Sequence, residues 1–248
     1  KLVFFLLLQK KSMNLNLEQL IKICNAKCMI SENLVNQIDF KNIEIQHLLY
    51  DSRRLNFIDN TLFFAFKTTN NDGHKYIKEL YNKGIRLFIC EELQDLNQFP
   101  DAVFLLVKDS LEALQKIAKY KRDNFHKEVV AITGSNGKTI VKEWIVQLAQ
   151  ENKKICYSPR SYNSQIGVAL SLWQLNTNYD LGLFEAGISK PNEMTRLQEM
   201  IQPTIGIFTN IGSAHQINFS SLEEKIEEKL KLFTTCKTLI CPKDDVFL

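Results

Sequence analysis

Apolar and polar positions change period several times along the chain, and the changes mark out its elements. Within "NLEQLIKICNA", Leu17, Leu20, Ile21 and Cys24 share one face of a short helix. Between residues 43 and 89 the pattern turns strand-like in "HLLYDSRRL", "TLFFAFK" and "IRLFICEE". A short helix, "YIKELYNKG", separates the last two and is closed by Gly84. "VFLLVKD" predicts another strand, and "SLEALQKIAKYKRDNF" a long helix opened by Ser110 with Glu112 in its first turn. That helix leads into the β-branched run "EVVAIT", so a domain boundary is expected near Phe125 to Lys127. Beyond it come a helix "IVKEWIVQLAQE", a strand "KICYS", a polar stretch "PRSYNSQIG" and a helix "VALSLWQLN". The strands "LGLFEAG", "TIGIFTNIG" and "TLICP" follow, with helices "EMTRLQEMI" and "SLEEKIEEKLKLFTT" between them. This alternation predicts an α/β fold with a mostly parallel, two-sided sheet. Ligands bind such sheets at the carboxyl ends of the strands.

Composition narrows the function classes. The chain has 248 residues, enough for one large or two ordinary domains. It is 45% hydrophobic and 24% charged, as in a soluble globular protein. A net charge of +3, with no basic cluster interleaved with aromatics, gives no reason to expect a nucleic-acid partner. The six cysteines fall at irregular spacings without a C-x-x-C pair, which predicts free thiols in a reducing cytoplasm. The opening "KLVFFLLLQKKS" lacks a small-residue cleavage site and is too short to span a bilayer, so no membrane partner is expected. Residues 1–12 are set apart as a leader or upstream extension.

The chemistry concentrates in "AITGSNGKT". Its glycine-rich turn joins a strand to a helix N-terminus, where unpaired backbone N–H groups and the helix dipole favour an anion. Gly134 and Gly137 let the main chain approach a phosphate, Lys138 can reach the outer phosphates, and the Thr139 hydroxyl is placed to ligate magnesium. The usual nucleotide loop has four residues between its first glycine and the Gly-Lys pair, whereas here only Ser135 and Asn136 intervene. If strands end at Thr133, Glu185 and Asn210, the loop gathers on one rim with "FEAGIS" and "TNIGSAH". Glu185 ends an apolar strand, where a carboxylate is costly unless a cation meets it. Thr139 and Glu185 then make an oxygen pair for magnesium, and a lysine partner is the simpler alternative. His215 is a weak signal alone. In "EEKIEEKLKLF", Glu and Lys at helical spacing ordinarily form a solvated, salt-bridged face.

These clusters together resemble the Mur ligases, ATP-dependent enzymes that extend the peptidoglycan precursor. "TGSNGKT" resembles their shortened nucleotide loop, "YNSQIGV" the segment after their second strand, "FEAGISKPNEM" their acidic strand end and "TNIGSAHQINF" their histidine motif. "LLYDSRRL", "TLFFAFK" and "NNDGHKYIKELYNKGIRLFICEE" resemble the uridine-nucleotide-binding domain of the member that adds D-alanyl-D-alanine. The resemblance implies a small N-terminal α/β domain over residues 13–125 and a P-loop-like ATPase sheet over 126–248, incomplete at its C-terminus. ATP would phosphorylate the terminal carboxylate of UDP-N-acetylmuramoyl-tripeptide, and the amine of D-alanyl-D-alanine would attack the acyl phosphate. Gly134 through Thr139 would bind ATP. Thr139 and Glu185 would hold one Mg2+, and His215 would help hold a second. Asn163 would lie near the transferred phosphate, and Ser52, Arg53, Asp72, Gly73 and His74 near the uridine diphosphate. Lys229, counted from His215, falls on the lysine that the family converts to a metal-binding carbamate. The solvated face would remain for Lys225 and Lys231.

The chain departs from the family where Ser164 replaces a second asparagine, Asn192 a glycine, and Pro242 the adenine-gripping asparagine. A third, C-terminal ligase domain is expected to be absent, so this length of chain alone should not ligate. A cytoplasmic monomer is the expectation. The other readings are a non-catalytic remnant that keeps nucleotide binding, another Mur-type ligase, and a ligase that adds glutamate to folate.

Overall fold

The computed structural model describes residues 15–35, 37–212 and 218–243. Residues 1–12, expected to be a leader or upstream extension, lie outside them. In chain order the elements are β1 (Leu15–Asn16), α1 (Leu17–Cys24), β2 (Lys27–Met29), α2 (Glu32–Val35), β3 (Glu44–Ile45), β4 (His47–Leu49), β5 (Thr61–Phe64), α3 (Ile77–Asn82), β6 (Leu87–Cys90), β7 (Val103–Leu106) and α4 (Ser110–Asp123). Then follow β8 (Val129–Thr133), α5 (Lys138–Ala149), β9 (Ile155–Tyr157), α6 (Gln165–Trp173), β10 (Leu181–Glu185), α7 (Glu193–Ile201), β11 (Ile205–Phe208), α8 (Leu222–Leu230) and β12 (Thr238–Ile240). Two compact units divide the chain, Lys1–Ile117 and Ala118–Leu248. That division falls inside α4, upstream of the boundary expected near Phe125 to Lys127, in a stretch where Ala113, Leu114, Ile117 and Ala118 are all buried.

In the first unit the strand order is β2-β7-β6-β5-β4. Only β2 runs antiparallel, against β7. Phe63, Phe88 and Phe104, one from each central strand, are buried and in ring contact, with centroids 6.3 and 5.1 Å apart. Each such burial is worth about 1.5–3 kcal/mol relative to exposure. The predicted strand "HLLYDSRRL" is shorter than its pattern suggests. It stops at Leu49, because the Asp51 carboxylate accepts the Arg53 N–H at 3.1 Å and turns Ser52–Arg54 into a 3-10 helix.

Ser110 is not the cap of α4. The Asp109 carboxylate accepts the Glu112 N–H at 2.9 Å, while Ser110 is buried and donates its N–H to Glu91 and its hydroxyl to the Ala65 carbonyl.

The second unit holds an all-parallel sheet in the order β12-β11-β8-β10-β9. Val130, Ile132 and Leu183 on its central strands pack with Val146 of α5 and Ile155 of β9. Registers place Glu185 beside Ile132 and Phe208 beside Thr133, so β8, β10 and β11 end on one rim. The last of these stops at Phe208 rather than Asn210, whose backbone and side chain are engaged by the loop after β8.

Candidate functional site

The turn after β8 is shaped by two glycines in positive-φ backbone, Gly134 at +144° and Gly137 at +80°. A Cβ on Gly134 would stand 2.0 Å from Thr209 Oγ1. The turn is tied to the end of β11 from both sides. Ser135 N–H donates to the Asn210 carbonyl at 2.9 Å, Asn136 N–H to Asn210 Oδ1 at 3.0 Å, and Gly212 N–H to Ser135 Oγ at 2.9 Å. Gly137 begins α5 without any side-chain cap, which leaves the helix N-terminus open to an anion. Lys138 folds back so that Nζ donates to the Gly134 carbonyl at 2.7 Å. Burial lowers its pKa, partly opposed by Glu185.

Thr139 and Glu185 meet. The threonine Oγ1 donates to Glu185 Oε2 at 3.0 Å, and Glu185 is fully buried. Its other oxygen, Oε1, lies 3.0 Å from Lys142 Nζ, so the simpler lysine pairing is present as well. That ammonium is out of line for a hydrogen bond to Oε1, because it donates to the carbonyls of Ser158, at 2.8 Å, and Arg160. Among the described residues Oε1 is thus a buried carboxylate oxygen with an ion-pair partner but no hydrogen bond. Ser158 Oγ in turn accepts the Glu185 N–H at 3.2 Å. Asn163 stands beside the same strand end: its carbonyl accepts the Gly187 N–H at 2.8 Å, and a Cβ on Gly187 would come within 3.0 Å of its side chain.

The helix α8 closes over the loop. Lys229 is 3% exposed and its Nζ donates to the Gly134 carbonyl at 3.3 Å, the same oxygen that Lys138 uses. Burial first, then the ammonium groups of Lys138 and Lys225, bring its pKa down to about 7. Lys225 does not belong to a solvated face. It is 1% exposed and donates to the Gly212 carbonyl, because residues four apart share a helix face and Lys225 faces inward with Lys229. Lys231 does reach solvent, paired with Glu228 at 2.5 Å. His215 lies outside the described residues.

In the first unit the predicted residues fall into two groups. Ser52 and Arg53 sit on the 3-10 helix after β4, with the Arg53 guanidinium held to Asp51 at 2.8 Å and largely in solvent. Asp72, Gly73 and His74 open a second 3-10 helix. Asp72 Oδ1 is 2.6 Å from His74 Nδ1, and His74 Nε2 accepts the Glu91 N–H at 2.9 Å. The ring therefore carries its proton on Nδ1 and braces the end of β6. Gly73 admits no side chain: a Cβ would stand 2.8 Å from Phe66 N.

A model described as the Mur ligase middle domain matches residues 132–248, and one described as the Mur ligase family, catalytic domain, matches residues 44–122. The chain belongs to the Mur ligase family. Among curated relatives, UDP-N-acetylmuramoyl-tripeptide--D-alanyl-D-alanine ligase of Borreliella burgdorferi is 33% identical over 204 residues, covering 78% of this chain and 44% of that protein. The enzyme of the same name from Rickettsia prowazekii is 36% identical over 172 residues, covering 69% and 38%. The chain thus spans less than half the length of these relatives. Among solved structures, MurF from Acinetobacter baumannii shares the fold with a TM-score of 0.83 at 23% identity, over 95% of this chain and 50% of that one. The MurF ligase of Thermotoga maritima in complex with ADP gives 0.71 at 27% identity, over 81% and 46%.

Two of the departures from the Mur ligase pattern have local explanations. Asn192 has φ of +67°, a left-handed conformation that asparagine tolerates best after glycine. Ser164 caps α6, its Oγ accepting the Gly167 N–H at 3.2 Å as an asparagine side chain could. Sequence reasoning missed Lys142 and Lys225. The signal was available for Lys225, four residues before Lys229, whereas Lys142 carries no sequence mark beyond its place in the helix after the loop.

Proposed function

We propose that this chain is the part of an ATP-dependent, amide-bond-forming ligase of peptidoglycan precursor synthesis that binds UDP-N-acetylmuramoyl-tripeptide and ATP. The complete protein would add D-alanyl-D-alanine to the tripeptide in the cytoplasm. A carboxylate oxygen of the tripeptide attacks the γ-phosphorus, the bond to the β-phosphate oxygen breaks, and ADP leaves. The amine then attacks the acyl carbon and phosphate departs. Such transfers need alignment and charge neutralisation more than covalent help.

The observation that carries this reading is the pairing of Thr139 with the buried Glu185 beside the open N-terminus of α5. Lys138 neutralises charge on the outer phosphates, and Asn163 steadies the group in transfer. Oε2 of Glu185, on the side of the Thr139 hydroxyl, suits a hard cation, so Thr139 and Glu185 would hold Mg2+. When bound, the metal withdraws charge from the phosphates. His215 and Lys229, as its carbamate, would serve a second ion. Carbon dioxide adds to the unprotonated amine with release of a proton, and a pKa of about 7 keeps much of Lys229 in that form near neutrality. Ser52, Arg53, Asp72, Gly73 and His74 are proposed for the uridine diphosphate, with Gly73 and His74 shaping the loop rather than touching the ligand. The chain is taken to act as a monomer.

Calorimetric titration tests the reading. Mg-ADP and UDP-N-acetylmuramoyl-tripeptide should each bind and raise the melting temperature. A flat response to both would overturn it. Incubation with 13C-bicarbonate should give a carbamate resonance that disappears in Lys229→Met.

A further inference from the structure

The pair of Lys142 with Glu185 has no part in the chemistry proposed above, yet it is the most enclosed ion pair among the described residues, with both side chains fully buried. Lys142 cannot swing away. Its ammonium is fixed by the carbonyls of Ser158 and Arg160, on the segment that leads to Asn163, and it also meets the half-exposed Glu143 carboxylate at 3.1 Å. Glu185 divides its two oxygens, with Oε1 toward Lys142 and Oε2 toward Thr139. A resident cation and an incoming one therefore have separate positions on one carboxylate.

We propose that Lys142 is the permanent counter-ion of Glu185 and makes divalent-metal binding there conditional on nucleotide phosphates. The proposal rests on the reading of Thr139 and Glu185 as a metal pair. A buried carboxylate without a cation would attract any available metal ion. With Lys142 in place, that charge is already met, and a divalent ion at Oε2 feels an ammonium across the same carboxylate as well as Lys138 nearby. Bound phosphates supply the missing negative charge, so metal and nucleotide enter together. By linkage, the metal strengthens nucleotide binding by the same factor.

The test uses Mn2+ as the probe, followed by electron paramagnetic resonance with and without ADP, against ADP-only controls. The unaltered chain should bind Mn2+ at least about ten-fold more tightly with ADP. Lys142→Met should bind Mn2+ without ADP about ten-fold more tightly than the unaltered chain, which narrows that ratio. Adding Glu185→Gln should remove the gained affinity. In thermal unfolding, Lys142→Met should melt lower, and Mn2+ alone should restore more of the loss than it adds to the unaltered chain. If Lys142→Met does not fold, Lys142→Gln carries the same titration, since it removes the charge and keeps a donor on the same side chain. An ADP-free affinity unchanged by the substitution, while the ADP-dependent site persists, overturns the counter-ion role alone. No Mn2+ binding to the unaltered chain even with ADP overturns the metal pair and the counter-ion together.

Discussion

At the scale of single residues, the loop after β8 separates side chains proposed for binding from those that shape the backbone. Lys138 is proposed to reach the outer phosphates and at rest holds its own loop carbonyls, so Lys138→Ala should abolish nucleotide binding while costing about 1 kcal/mol of stability, read by calorimetry and denaturant unfolding. Gly134→Ala should cost about 1–3 kcal/mol or more from its positive φ alone, and the Thr209 hydroxyl in its way adds to that. Lys229 gives a pH signature. Its folded pKa of about 7 lies below the unfolded value of 10.5, so between those limits the unfolded chain binds the extra proton. Stability should therefore rise with pH across that window, by up to about 1.4 kcal/mol per unit from this group. Lys138 and Lys225, also shifted down by burial, add in the same direction. Lys229→Met should flatten the rise in unfolding curves taken from pH 7 to pH 10.

At the scale of elements, short polar contacts decided what periodicity left open. The Asp109 carboxylate, rather than the Ser110 hydroxyl, caps α4, so Asp109→Ala should cost about 1 kcal/mol in denaturant unfolding through the lost bond to Glu112. The 3-10 turn after β4 forms for a similar reason, since Asp51 can satisfy the Arg53 N–H within two residues and no strand partner offers as much. β2, too short to show alternation, exists because β7 presents an edge to it. In α8 the mixture of Glu and Lys looked like a solvated surface. The tertiary fold instead buries Lys225, Glu228 and Lys229, and each finds a backbone partner, in the Gly212 carbonyl, the Met194 N–H and the Gly134 carbonyl respectively.

For the molecule as a whole, each compact unit has its own sheet and its own core. Saturating Mg-ADP, at about a hundred times its dissociation constant, should stabilise by about 2.7 kcal/mol. Hydrogen exchange should slow at the loop after β8, the start of α5 and the end of β10, and remain unchanged through β4, β5 and β6. Equal slowing in both units would contradict a nucleotide site confined to the second.

The sequence by itself determined the alternation of strands and helices, the parallel sheet at the phosphate loop, and the identity of the loop residues. These follow from local periodicity and from glycines whose backbone conformation no other residue adopts cheaply. It also paired Thr139 with Glu185, because both stand at strand or helix ends that a parallel sheet brings to one rim. Only the tertiary structure decided that Lys142 shares that carboxylate, that Lys225 turns inward, and that His74 braces a strand end with both ring nitrogens. Those outcomes depend on what faces a side chain across the fold. A lysine opposite a buried carboxylate and a lysine opposite water are the same letter in the chain, and only the desolvated neighbour tells them apart.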